Sequence, residues 1–78
     1  NNMTREEYED SKRELVANFE TEIERLGDAA SVSYDSEDDI KDIIEKAEYD
    51  LELIKSQIRD IEDALSELRS IRNERIEE

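Results

Sequence analysis

The densest collection of chemically capable side chains is "DSEDDIKD", residues 35–42. Asp35, Glu37, Asp38, Asp39 and Asp42 crowd together there, and Glu45 follows three residues later. Carboxylate oxygens of this density suit a hard cation such as calcium. An EF-hand-type loop, however, needs alternating ligands, a central Gly for its sharp turn and a Glu at its twelfth position. No Gly stands in this stretch, and the acids sit where a helix begins. Helix capping therefore explains them better than a divalent-ion site, since anions are stabilised by the positive end of the helix dipole. Paired carboxylates also serve acid–base chemistry when held in a cleft. With 25 Asp and Glu in 78 residues, close pairs arise by chance. His and Cys are both absent, which removes the usual proton shuttle, the commonest metal ligands and any disulfide. A carboxylate-bridged metal site in a bundle would use Glu-x-x-His. No Gly-rich phosphate loop and no nucleophile–base set is present. The expectation is a protein that is not an enzyme, with no catalytic residue, metal or cofactor.

The elements that carry these acids read as helices. Pro is absent and Gly occurs once, so little in the chain forbids helix. Thr4 with Glu7 three residues on spells a capping box. Tyr8, Leu15, Val16, Phe19, Ile23 and Leu26 then follow a 3–4 rhythm, and Gly27 stands where a left-handed C-cap is favoured. Helix one is placed at about 5–26, on the order of 33 Å long. A connector follows at about 27–36, with Tyr34 pinning it to the bundle end. Ser36 before Glu37, Asp38 and Asp39 is a second cap signal. No breaker follows, so helix two is placed at about 37–76, on the order of 60 Å. It carries a heptad seam: Ile44, Leu51, Ile58 and Leu65 form one set, and Ile40, Ala47, Ile54, Ile61 and Leu68 the other. Beyond Leu68 the stripe slides sideways to Ile71 and Ile76. Tyr49 and Leu53, off this seam, are read as a second face under helix one or as a small docking spot for another protein.

The unequal lengths point toward assembly. Helix one, folded back, covers about 37–58, and Ile61, Ala64, Leu65, Leu68 and Ile71 overhang. A large aliphatic left exposed forgoes roughly 1.5–3 kcal/mol of burial. The expected fold is all-α: one domain over 1–78, an antiparallel helical hairpin with a long second helix. It is coiled-coil-like and expected to form a dimeric four-helix bundle by antiparallel pairing of helix two, with a parallel dimer joined along helix two as the rival geometry. The expected self-association seam is Ile54, Ile58, Ile61, Leu65, Leu68 and Ile71. A closed two-fold dimer is the commonest oligomer, so a homodimer is the expected partner arrangement.

Charge narrows the remaining partners. Lys and Arg number 11, and the formal net charge is −14. Such a surface repels nucleic acid and anionic membranes directly and attracts basic proteins. Asp35, Glu37, Asp38, Asp39, Asp42 and Glu45 form the candidate acidic partner surface. The function expected is a protein–protein interaction or assembly module, or a small regulator. One alternative is a phage-type acidic inhibitor that mimics DNA. Another is a coiled-coil fragment of a larger protein. No apolar run approaches the roughly 18 residues of a membrane span, and the lack of Cys fits a reducing, cytoplasmic setting.

Overall fold

The computed structural model describes residues 2–77. Asn1 and Glu78, included in the single-domain reading of 1–78, lie outside the described residues. The chain is all-α: two helices pack against each other as a hairpin, closed at its open end by a minimal sheet. In chain order the elements are β1 (Asn2–Thr4), α1 (Arg5–Ala30), α2 (Ile40–Arg72) and β2 (Arg75–Glu77).

α1 begins as its capping box dictates. The Thr4 hydroxyl accepts from the Glu7 amide at 3.1 Å, and the Thr4 amide donates to Glu7 Oε1 at 2.9 Å. The hydrogen bond from the Thr4 amide holds the Glu7 carboxyl below the usual glutamate range. The helix does not end at Gly27. It continues to Ala30, and Ser31 is its C-cap. Gly27 keeps a negative φ, so its conformational freedom goes unused. Small Ala29 and Ala30 let the helical backbone run on.

α2 starts three residues later than the acid run promised. Asp39, not Ser36, is the N-cap and accepts from the Lys41 amide. Residues 35–38 form a turn instead. Asp35 Oδ1 accepts from the Glu37 amide at 2.9 Å, and the Asp35 carbonyl accepts from the Asp38 amide at 3.0 Å. Asp side chains compete with helix for nearby amides in this way. At the other end, Arg69 and Arg72 occupy the last turn, where the dipole favours cations. The helix stops at Arg72 rather than running to 76.

β2 was not legible in the sequence. After Asn73 the chain reverses, and residues 75–77 pair in parallel with residues 2–4, with Met3 opposite Ile76. The Asn2 amide side chain donates to Glu77 Oε1 at 2.8 Å. Met3 and Ile76 are half-buried, so the stripe that slid to Ile76 closes the end of the hairpin.

This closure sets the register and overturns the expected overhang. α1, at 26 residues, spans about 39 Å, and α2, at 33 residues, about 50 Å. Because Met3 lies beside Ile76 and the Glu22 carbonyl beside Gln57, α1 covers the C-terminal part of α2. Ile61, Leu65, Leu68 and Ile71 are half-buried and Ala64 is buried. The uncovered turns are the first two of α2, at Ile40 and Ile44.

Candidate interaction surface

The face of α2 turned to α1 is offset by one residue from the apolar reading. The protected row runs Ile43, Ala47, Asp50, Ile54, Gln57, Ile61, Ala64, Leu68 and Ile71, in steps of four and three, with Leu65 half-buried beside it and Ile43 and Ala47 beyond the end of α1. On α1 the matching positions are Tyr8, Leu15, Phe19, Glu22, Leu26 and Ala29. The inner seam thus takes Ile54, Ile61, Leu68 and Ile71 from the expected self-association set and turns them toward the same chain. It takes Ile43 in place of Ile44, and prefers Asp50, Gln57 and Ala64, three less apolar residues, to Leu51, Ile58 and Leu65.

Each of those three has a physical reason to be inside. Ala64 is 3% exposed, and its small side chain lets the helices approach. Gln57 Nε2 donates to the Glu22 carbonyl across the hairpin at 3.0 Å. Asp50 accepts the Tyr34 hydroxyl on Oδ2 at 2.9 Å and lies 3.8 Å from the Lys46 ammonium. That ammonium in turn donates to the Ser33 carbonyl at 2.7 Å and sits 4.5 Å from the Tyr34 ring centroid. Tyr34 therefore pins the connector onto α2. The bond to Asp50 raises the Tyr34 pKa above the ordinary tyrosine value.

Polar satisfaction continues on α1. Glu22 is 8% exposed, and its carboxylate accepts from Arg25 at 2.8 Å. Asn18, Glu22, Asp60, Asp63, Ala64 and Glu67 line one shallow polar depression, which fixes that flank of the hairpin as hydrophilic.

The opposite flank is apolar. Val16, Ile23 and Ala30 each follow a seam residue by one on α1. Ile44, Leu51, Ile58 and Leu65 do the same on α2. In an antiparallel pair, equivalent flanking positions of the two helices lie on the same side. These seven therefore share a face, which Ile40 extends at the uncovered end. Val16, Ile23, Ile44, Leu51 and Ile58 are between 42% and 48% exposed, and Ile40 is 67% exposed. From Ile40 to Leu65 the face is about 38 Å long.

The remaining expected site residues lie elsewhere. Tyr49 and Leu53 do not support α1. They are 64% and 45% exposed, on the polar side of α2. Asp35, Asp38 and Asp42 meet in a depression with Ser33, Tyr34, Ile43 and Lys46. Glu37, Asp39 and Glu45 are outside that lining, and Asp35 and Asp39 spend an oxygen on turn and cap. Among the described residues, no group of three or more Asp or Glu is arranged to hold a metal ion. Among them also, no helix is long and apolar enough to cross a membrane.

No family model matches the chain, and neither a curated protein nor a solved structure shows significant similarity to it. The surface itself is therefore the guide to function.

Proposed function

We propose that this protein is a non-enzymatic protein–protein interaction and assembly module. Its working surface is the apolar flank Val16, Ile23, Ile44, Leu51, Ile58 and Leu65, and its partner is a second copy, giving a dimeric four-helix bundle. The observation that carries this reading is the flank's continuity across both helices. Scattered exposed aliphatics are ordinary on protein surfaces, but a contiguous apolar patch marks a place of contact. Helices that pair on one side only need a two-position stripe. A third apolar position beside it is the wider stripe of a helix in a bundle.

Area supports the same conclusion. The chain exposes 6177 Å². A compact monomer of this mass exposes about 4,900 Å². The excess, about 1,200 Å², exceeds the roughly 800 Å² that each partner contributes to a standard interface. Covering the exposed half of each large flank side chain contributes about 1 kcal/mol per residue. That sum is comparable with the whole stability of a small domain.

The test is a double substitution, Leu51→Asp with Ile58→Asp. Both side chains face outward, so helicity by circular dichroism should persist. Light scattering should fall from twice the 9.2 kDa chain mass to the monomer value. A wild-type chain that is monomeric at micromolar concentration overturns the reading.

A second reading, an acidic inhibitor that imitates nucleic acid, draws on one observation. Residues 28–52 hold ten Asp and Glu against two Lys, gathered at the connector end. Along that end this is about one net charge per 2–3 Å, near the one per 1.7 Å of duplex DNA. Its test is salt-sensitive competition with duplex DNA for a basic protein, and failure to compete at low salt rejects it.

A further inference from the structure

Resting on the self-association reading, we infer that the two hairpins stack with their connectors at opposite ends, α2 lying antiparallel on α2 of the partner subunit and α1 on its α1. Two arrangements bury the same apolar flank. In one, both connectors lie at the same end of the bundle. In the other, they lie at opposite ends. Packing alone does not separate them, but charge does.

The fold sorts charge along its axis. Residues 28–52, which make up the connector end, carry ten acids and two lysines, a net of −8. The strand end is nearly balanced. Residues 5–13 and 67–77 together hold seven acids, namely Glu6, Glu7, Glu9, Asp10, Glu67, Glu74 and Glu77. Against these stand six bases: Arg5, Lys12, Arg13, Arg69, Arg72 and Arg75. Stacking connectors at the same end brings two −8 poles together across a helix spacing of about 10 Å, which is no more than the screening length at 0.1 M salt. Stacking them at opposite ends sets each acidic pole beside the near-neutral, arginine-bearing pole of the other copy. Like charges face each other in the first case and are kept a molecule apart in the second.

The α2 row of the apolar flank accepts the second arrangement without loss. A two-fold axis midway between Leu51 and Ile58 matches Leu51 with Ile58 of the partner subunit. It also matches Ile44 with Leu65 of the partner subunit. At the same level of α1, Ile23 faces its own counterpart. The α2 row is thus self-complementary under reversal, as a two-fold contact requires.

The experiment uses the full chain with Ser36→Cys, an exposed turn position in a protein that has no other Cys. A spin label there places one probe on each connector, and dipolar spectroscopy reads the distance between copies. Light scattering on the same labelled sample reports the mass. Connectors at opposite ends give a separation of about 50 Å, the length of α2. A dimer mass with a separation below about 25 Å, two helix layers plus the labels, overturns the inference and leaves the assembly reading standing. A monomer mass with no intermolecular distance overturns both. Unlabelled wild type is weighed alongside, so that a label-induced monomer is recognised and the probe is moved to Ser33→Cys for the deciding measurement.

Discussion

Tyr34 shows how one hydrogen bond makes a polar seam residue acceptable. Asp50 stands where an apolar side chain would be expected, and it is held by the Tyr34 hydroxyl with the Lys46 ammonium nearby. Tyr34→Phe removes the donor and leaves the ring over Lys46, so the connector should loosen while the helices persist. Faster amide exchange at residues 31–39 is the measurement. The Tyr34 pKa is raised because the neutral phenol is the form that donates. Its contribution to stability is therefore complete below the ordinary tyrosine range and lost as pH rises through the raised value. Subtracting the phenolate titration of Tyr34→Phe from that of wild type should isolate a group ionising above that range. Glu7 has the opposite sign. Its carboxyl is held low by the Thr4 amide, so the cap is intact above the ordinary glutamate range and weakens as pH falls through the lowered value. Thr4→Ala should destabilise by about 1 kcal/mol at neutral pH. That difference should shrink in acid, read from urea midpoints of the two proteins.

At the scale of elements, the decisive fact is which face of α2 turns inward. Ala64 is the most buried apolar residue among those described and packs in the seam with α1. Ala64→Leu should push the helices apart and destabilise by about 1–3 kcal/mol, measured by urea unfolding. Conversion of Leu65, its half-buried neighbour, to Ala should cost less than the same truncation costs at a closed core site. The helices, their antiparallel order, the Thr4 capping box and the pinning role of Tyr34 were all readable from residue types. The seam was not, because reading apolar positions alone favours Ile44, Leu51, Ile58 and Leu65. That row is more apolar than Ile43, Asp50, Gln57 and Ala64. A polar residue enters a seam only if something distant satisfies it, and Tyr34 and the Glu22 carbonyl lie 16 and 35 residues away. The start of α2 was missed for a similar reason. Ser36 and Asp39 are both competent caps, and the choice depends on the turn that Asp35 makes with the Glu37 amide. The strand β2 has three residues and no alternation long enough to see, so only its partner β1 reveals it.

For the molecule as a whole, length and charge work against each other. The described chain is 64 × 16 × 9 Å, a slab too thin to enclose a core of its own. Its net charge of −14 resists both compaction and pairing. Salt should therefore stabilise it. Raising sodium chloride from about 0.02 M to about 0.5 M shortens the screening length from roughly 20 Å to roughly 4 Å. The thermal midpoint should rise, and the dissociation constant of the proposed dimer, measured by analytical ultracentrifugation, should fall. A protein held mainly by surface ion pairs would respond in the opposite direction. The ion pairs Lys12–Glu9, Arg13–Asp10, Arg25–Glu22, Lys46–Asp50 and Lys55–Glu52 each lie within a single helix and add little.

The small parallel sheet has a topological consequence. Because residues 2–4 run beside 75–77, a polypeptide grafted onto either terminus departs from the same pole, remote from the acidic connector. A stacked pair would then display its grafts at both tips of the bundle, as a double-ended scaffold. Within one copy, a few glycines would suffice to join the termini into a ring.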